Sequence, residues 1–149
     1  MARLFTPILV LVCAAALLVS WSAIRAEDEK KPVLVVNMTA GSDDMHSVWM
    51  GLRLAEHALD GGRAAIVFMN VKAPPLASKK CPDDCRFGEM PPVKEQIATL
   101  VKKGGSVIVC PECAKANGVA EADLLPGVEL ATKEKLFGRI DGDTVVFSY

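Results

Sequence analysis

Two close cysteine pairs, Cys81-Pro-Asp-Asp-Cys85 and Cys110-Pro-Glu-Cys113, are the residues of this chain best suited to chemistry. Cys110 ends a β-branched run, Val107 to Val109, and Pro111 follows where a first helical residue loses nothing by lacking an N–H. The Cys110 thiol therefore falls at a helix cap, facing unpaired N–H groups and the positive end of the helix, a setting that makes sulfur nucleophilic or metal-binding. Cys113 lies in the same first turn, and a neighbouring thiol is what disulfide exchange requires. Cys110 and Cys113 are accordingly the candidate catalytic residues of a persulfide or thiol-redox site, with Cys81 and Cys85 as relay or resolving partners. Haem attachment in its usual form is excluded, because Ala114 stands where that motif needs His.

The same sulfurs permit two other readings. Cys81, Cys85, Cys110 and Cys113 could close a four-thiolate site for zinc or copper, although CxxxC and CxxC separated by 24 residues depart from the usual zinc spacing. They could also be inert disulfides tying down loops, with three possible pairings if all four are bonded. His46 and His57 cannot share a metal, since eleven residues of helix separate them by about 16 Å. His57 reads as a solvated helix residue. His46, Ser42 and Asp43 sit beside the site as accessory candidates, while Asp43 and Asp44 also suit a helix start. The segment MTAGSDD lacks the Lys and glycine spacing of a phosphate-binding loop.

Positioning these residues falls to an alternation of strands and helices. Val33 to Asn37 is a short apolar run suited to a strand buried on both faces. Met45, Val48, Trp49, Leu52, Ala55 and Leu59 recur at helical spacing up to Gly61-Gly62. Ala64 to Val71 reads as a second strand, followed by a long Pro-rich connection, 72 to 92, that carries CPDDC. Val93, Ile97, Leu100 and Val101 mark a second helix, and the strand ending at Cys110 comes next. A short strand at 128 to 130, a helix near 133 to 139 and a strand at 144 to 148 complete the pattern. Such alternation predicts crossover units and a parallel sheet with helices on both faces, whose sites form beyond the carboxyl ends of the strands. The MTAGSDD loop, the CPDDC loop and the CPEC turn all fall at that edge.

The first 26 residues have the layout of a secretory leader: Arg3, an apolar run from Leu4 to Val19, then SWSAIRA with cleavage after Ala26. Leu4 to Ile24 is uncharged for 21 residues, long enough for an uncleaved membrane anchor. Either version puts the rest of the chain outside the cytoplasm, as a periplasmic or secreted protein or as an anchored one. Residues 27 to 32 form a charged lead-in. Of five cysteines, Cys13 falls in the leader, which leaves four in an oxidising compartment. The leader holds Arg3 and Arg25 and no acidic residue, so its removal takes the net charge from −1 to −3. With no basic stripe and a single Tyr, nucleic-acid binding is excluded. Trp49, Met50, Leu54 and Ala58 make the first helix apolar around most of its circumference, which predicts self-association.

The order VLVVNMTAGSDD, GLRLAEHALDGGRAAIVFMNV, GGSVIVCPECAKANGV, DLLPGVELA and TVVFSY resembles the DsrE/DsrF-like family over residues 33 to 149. Its most specific part is the strand-end cysteine followed by a short helix, Gly118-Val119 and DLLPGVEL. The resemblance implies a three-layer α/β/α domain with a parallel sheet of about five strands and a tendency to form homo-oligomers. For the sulfur-relay members it also implies a cysteine at the end of the third strand that carries sulfur as a persulfide, the position that Cys110 matches here. A sulfurtransferase-like activity, with protein donors and acceptors of sulfur or thiols, is the expectation that follows.

Overall fold

The computed structural model describes residues 31–140 and 142–149, and the leader predicted for 1–26 lies outside the described residues. Among the described residues no helix is long and apolar enough to cross a membrane. Five strands form one all-parallel sheet: β1 (Val33–Met38), β2 (Ala65–Met69), β3 (Ser106–Val109), β4 (Val128–Leu130) and β5 (Thr144–Ser148), in the order β4-β3-β2-β1-β5. The helices are α1 (Met45–Asp60), α2 (Val93–Lys102), α3 (Pro111–Ala116) and α4 (Lys133–Phe137), with short 3-10 turns at Pro74–Ala77 and Glu121–Asp123. This is the three-layer α/β/α arrangement expected from the alternation of runs.

The continuous apolar runs are explained by burial on both faces of the sheet. Leu34, Val36 and Met38 of β1, Val67 and Met69 of β2, and Val107 and Val109 of β3 face a core shared with Val48, Leu52 and Ala55 of α1 and Val93, Ile97 and Leu100 of α2. Val33, Val35, Ile66 and Ile108 face the opposite way, covered by Leu136 of α4 and Ile140. The two layers are thus unequal: one carries two long helices, the other a helix of five residues. Gly51 lets α1 press onto β1, because a Cβ there would lie 2.5 Å from Met38 Cε and 3.1 Å from Val36 Cγ1.

Two local features depart from the sequence reading. The second strand stops at Met69 rather than running to Val71, because Val71 adopts φ 52° and turns the chain out of the sheet. The apolar circumference of α1 is mostly used inside the domain. Leu54 and Ala58 pack against the core, and Trp49 lies 5.8 Å from the Phe87 ring, leaving Met50 exposed. The larger exposed apolar surface lies instead on β5, at Val145, Val146 and Phe147.

Candidate functional site

Because the sheet is parallel, the loops after β1, β2 and β3 emerge at one edge. The β1 loop is bound to the β2 loop at a close approach: Gly41 is buried, and a Cβ on it would meet Lys72 Cβ and the Lys72 carbonyl at 2.9 Å. Lys72 N–H donates to the Thr39 carbonyl at 3.2 Å, and its ammonium lies 2.7 Å from the Asp43 carboxylate. That hydrogen bond holds the Asp43 carboxyl below its ordinary range. Asp43 therefore joins two loops, and Asp44, not Asp43, caps α1 by accepting from Ser47 N–H at 3.1 Å.

Cys110 occupies the N-cap of α3, as the Cys-Pro sequence predicts. Its N–H donates to the Met69 carbonyl at 2.9 Å, which anchors it to β2, and its carbonyl accepts the first helical bond from Ala114 at 2.8 Å. Its sulfur accepts from the Cys113 N–H at 3.4 Å. The Cys113 thiol is held above its ordinary value, chiefly by its side-chain hydrogen bond to Cys110 and then by burial. A sulfur anion formed at Cys110 meets the Cys113 N–H at the cap of α3.

A further residue, which sequence reasoning missed, positions Cys113. Val71 is the sole non-glycine residue with positive φ among the described residues, in a conformation that costs a β-branched side chain about 1–2 kcal/mol. The Val71 backbone lies close enough to the Cys113 sulfur to draw its thiol downward, against the two raising influences. Asn117 holds this arrangement, its Nδ2 donating to the Val71 carbonyl at 2.8 Å and to the Cys113 carbonyl at 2.7 Å. The Val71 side chain is 56% exposed and contributes little packing. Val71→Gly is therefore expected to raise the urea midpoint, by about 0.5–1 kcal/mol after glycine's entropic cost. A lowered midpoint would show that the conformation is not strained.

The second cysteine pair sits apart from the first. The CPDDC turn is fixed by Cys81 N–H to the Ser78 carbonyl at 3.0 Å, Val93 N–H to the Cys85 carbonyl at 2.9 Å, and Lys94 to Asp83 at 2.8 Å. Phe87 clamps the following residues onto α1 by stacking on the His46 ring, with centroids 4.4 Å apart. His46 thus anchors this loop, and His57 is exposed. Cys81 is buried against Cys85, whose sulfur in turn lies 3.4 Å from Met45 Sδ. A cavity of about 190 Å³ borders this pair, lined also by Ser42, Ser78 and Asn117 to Val119. Neither Cys110 nor Cys113 lines it.

Burial, reinforced by Cys85, pushes the Cys81 thiol from 9.0 up to about 12. The unfolded chain releases this proton near 9 while the folded chain keeps it, so unfolding releases a proton in this window and stability falls as pH rises. The expected slope is about 1.4 kcal/mol per unit above the unfolded value. Reduced protein unfolded in urea from about pH 9 upward should show this loss, and Cys81→Ala should give a slope shallower by about that amount, the raised Cys113 thiol acting in both proteins. Equal slopes in the two proteins would remove Cys81 as the cause.

All four of these cysteines are free thiols. The fold brings Cys81 to Cys85 and Cys110 to Cys113, but among the described residues no three His, Cys, Asp or Glu side chains converge where they could hold a metal ion.

The comparisons with known proteins agree with this architecture. Uncharacterized protein MJ0989 of Methanocaldococcus jannaschii is 30% identical over 118 residues, covering 78% of this chain and 97% of its own length. Uncharacterized protein MK0008 of Methanopyrus kandleri is 29% identical over 116 residues, covering 77% and 93%. Among solved structures, YchN from E. coli superposes with a TM-score of 0.65 at 18% identity, covering 80% of this chain and 99% of its own. MTH1491 from Methanobacterium thermoautotrophicum gives 0.59 at 12% identity, covering 80% and 100%. These two share the fold. The family match extends over residues 31–146, from the lead-in to the middle of β5, and includes both cysteine pairs: the chain belongs to the DsrE/DsrF-like family.

Proposed function

We propose that this domain receives a sulfur atom as a persulfide on Cys110 and passes it to an acceptor thiol. Family membership supports a sulfur-relay type of function at the family level. The observation that carries the finer reading is the Cys110 sulfur at the N-cap of α3, where it accepts from the Cys113 N–H at 3.4 Å. In the loading step, the Cys110 thiolate attacks the outer sulfur of a donor persulfide. A sulfur–sulfur bond forms at Cys110, the donor's sulfur–sulfur bond breaks, and the donor leaves as a thiolate with no net oxidation. In the unloading step an acceptor thiolate attacks that same outer sulfur and expels the Cys110 thiolate, which the Cys113 N–H receives. Cys113, held as a thiol, donates a hydrogen bond and does not attack the persulfide, an attack that would discharge it as sulfide and leave a Cys110–Cys113 disulfide. Export through the leader at 1–26 belongs to this proposal, supported by the charge and hydropathy layout of that segment.

The test is intact mass under non-reducing conditions after incubation with inorganic polysulfide, followed by peptide mapping. The expected result is a reducible excess of whole sulfur atoms on Cys110. No excess, or an excess confined to Cys81 and Cys85, would overturn the reading. We also propose that copies of the chain associate along β5, since Val146 is 59% exposed there and, among the described residues, β5 has no second strand neighbour. A strict monomer in sedimentation at micromolar concentration would contradict this.

A further inference from the structure

We propose that Met45, Cys81 and Cys85 form a three-sulfur site for a soft monovalent cation, Cu(I), separate from the chemistry at Cys110. Two segments converge to build it. Met45 stands in the first turn of α1, and the two cysteines come from either end of the CPDDC turn. Cys85 is the centre of the cluster: it lies close enough to the buried Cys81 to act on its thiol, and its sulfur is 3.4 Å from Met45 Sδ. Sulfur ligands sharing one ion at bonds of about 2.3 Å stand roughly 3.8–4 Å apart, so admitting the ion requires the pair to open by about half an ångström. That is a small adjustment for an unbranched Met side chain.

The donor set selects the ion. Thiolate and thioether ligands favour Cu(I), whereas structural zinc takes four ligands from Cys, His or carboxylate. No third ligand of those types joins the pair among the described residues. Asp83, within the CPDDC turn, pairs with Lys94, and the ring of His46, next to Met45, is stacked on Phe87. The third donor available is the thioether, which zinc does not ordinarily use. The cavity of about 190 Å³ that borders both cysteines gives the ion an access path from solvent. As Cu(I) binds, the two thiols release their protons to solvent and form two copper–thiolate bonds. The site then carries one net negative charge, with Lys94 close enough to act on Cys81 electrostatically.

The experiment is anaerobic titration of the reduced full chain with Cu(I) against bicinchoninate as the competing chelator. One equivalent withheld from the chelator is expected, retained in a Cys110→Ser/Cys113→Ser double variant and lost in Cys85→Ser. Met45→Leu keeps the volume and removes the donor, and should weaken binding at least tenfold while circular dichroism shows the fold retained. X-ray absorption of the loaded protein should show a sulfur-only shell of three. The proposal is overturned if no copper is withheld, if binding survives Cys85→Ser, if it disappears in the Cys110/Cys113 double variant, or if zinc displaces copper. Because loading of Cys110 with sulfur is read in a separate experiment, failure of either reading leaves the other standing.

Discussion

Cys110→Ser is expected to abolish sulfur transfer, lowering its rate by at least about 10³-fold, because a serine oxygen cannot form the covalent sulfur intermediate. The substitution is informative because it leaves the scaffold alone. Serine is among the best helix N-caps, so it can accept from the N–H of residue 113 as the thiol does now at 3.4 Å. The backbone bonds of Cys110 to Met69 and Ala114 do not involve the side chain. Stability should therefore change by less than about 1 kcal/mol. Cys113→Ser keeps a donor hydroxyl toward Cys110 and should reduce transfer modestly, whereas Cys113→Ala removes it and should cost about tenfold more. The assay is sulfide released from a small thiol acceptor by polysulfide-loaded protein. A wild-type rate in Cys110→Ser would move the chemistry to another residue.

Gly127→Ala should be strongly destabilising, costing about 3 kcal/mol from two independent causes. Gly127 has φ 79°, a region that costs an L-residue about 1–2 kcal/mol. An added Cβ would also lie 2.4 Å from Val101 Cγ1, on α2, well inside contact distance. The clash arises because the Pro126-Gly127 turn delivers the chain into β4 directly beneath that helix. Since the causes are separable, so are their remedies. Val101→Ala makes room and should recover part of the loss in the double variant, while the backbone cost persists. Urea unfolding of the four proteins of this cycle measures both contributions. Additive effects would show that the methyl and Val101 do not meet.

How much of this was legible in the sequence follows from where each interaction lies along the chain. The strands were readable because Val33 to Val36, Ala65 to Met69 and Val107 to Val109 are buried on both faces, which leaves unbroken apolar runs. The Cys110 cap was readable because a strand end, a cysteine and a proline in succession have few other uses. Val71 was hidden for the opposite reason: a β-branched residue belongs by propensity in the strand, and only its surroundings force it into φ 52°. The contact of Met45 with Cys85 was equally hidden, since 40 residues separate them and nothing local links a thioether in a helix to a loop cysteine. The surplus apolar face of α1 suggested a partner chain. Part of that partner is Phe87, from the Pro-rich connection of the same chain.

The position of β5 has a consequence for how the domain folds. β1 pairs with β2 after one helix, yet its other edge waits for a strand so distant that Asn37 meets Ser148 across 111 residues. Tyr149, just past β5, accepts from the N–H groups of Thr39 at 2.6 Å and Ala40 at 3.1 Å, at the root of the MTAGSDD loop. Closing so long a loop is entropically slow, so β1, β2 and β3 can collapse with their helices well before that contact forms. The cysteine cap on β3 then matures early in refolding and the β1 loop late. Pulse-labelled hydrogen exchange would see Cys110 and Ala114 protected before Thr39 and Ala40.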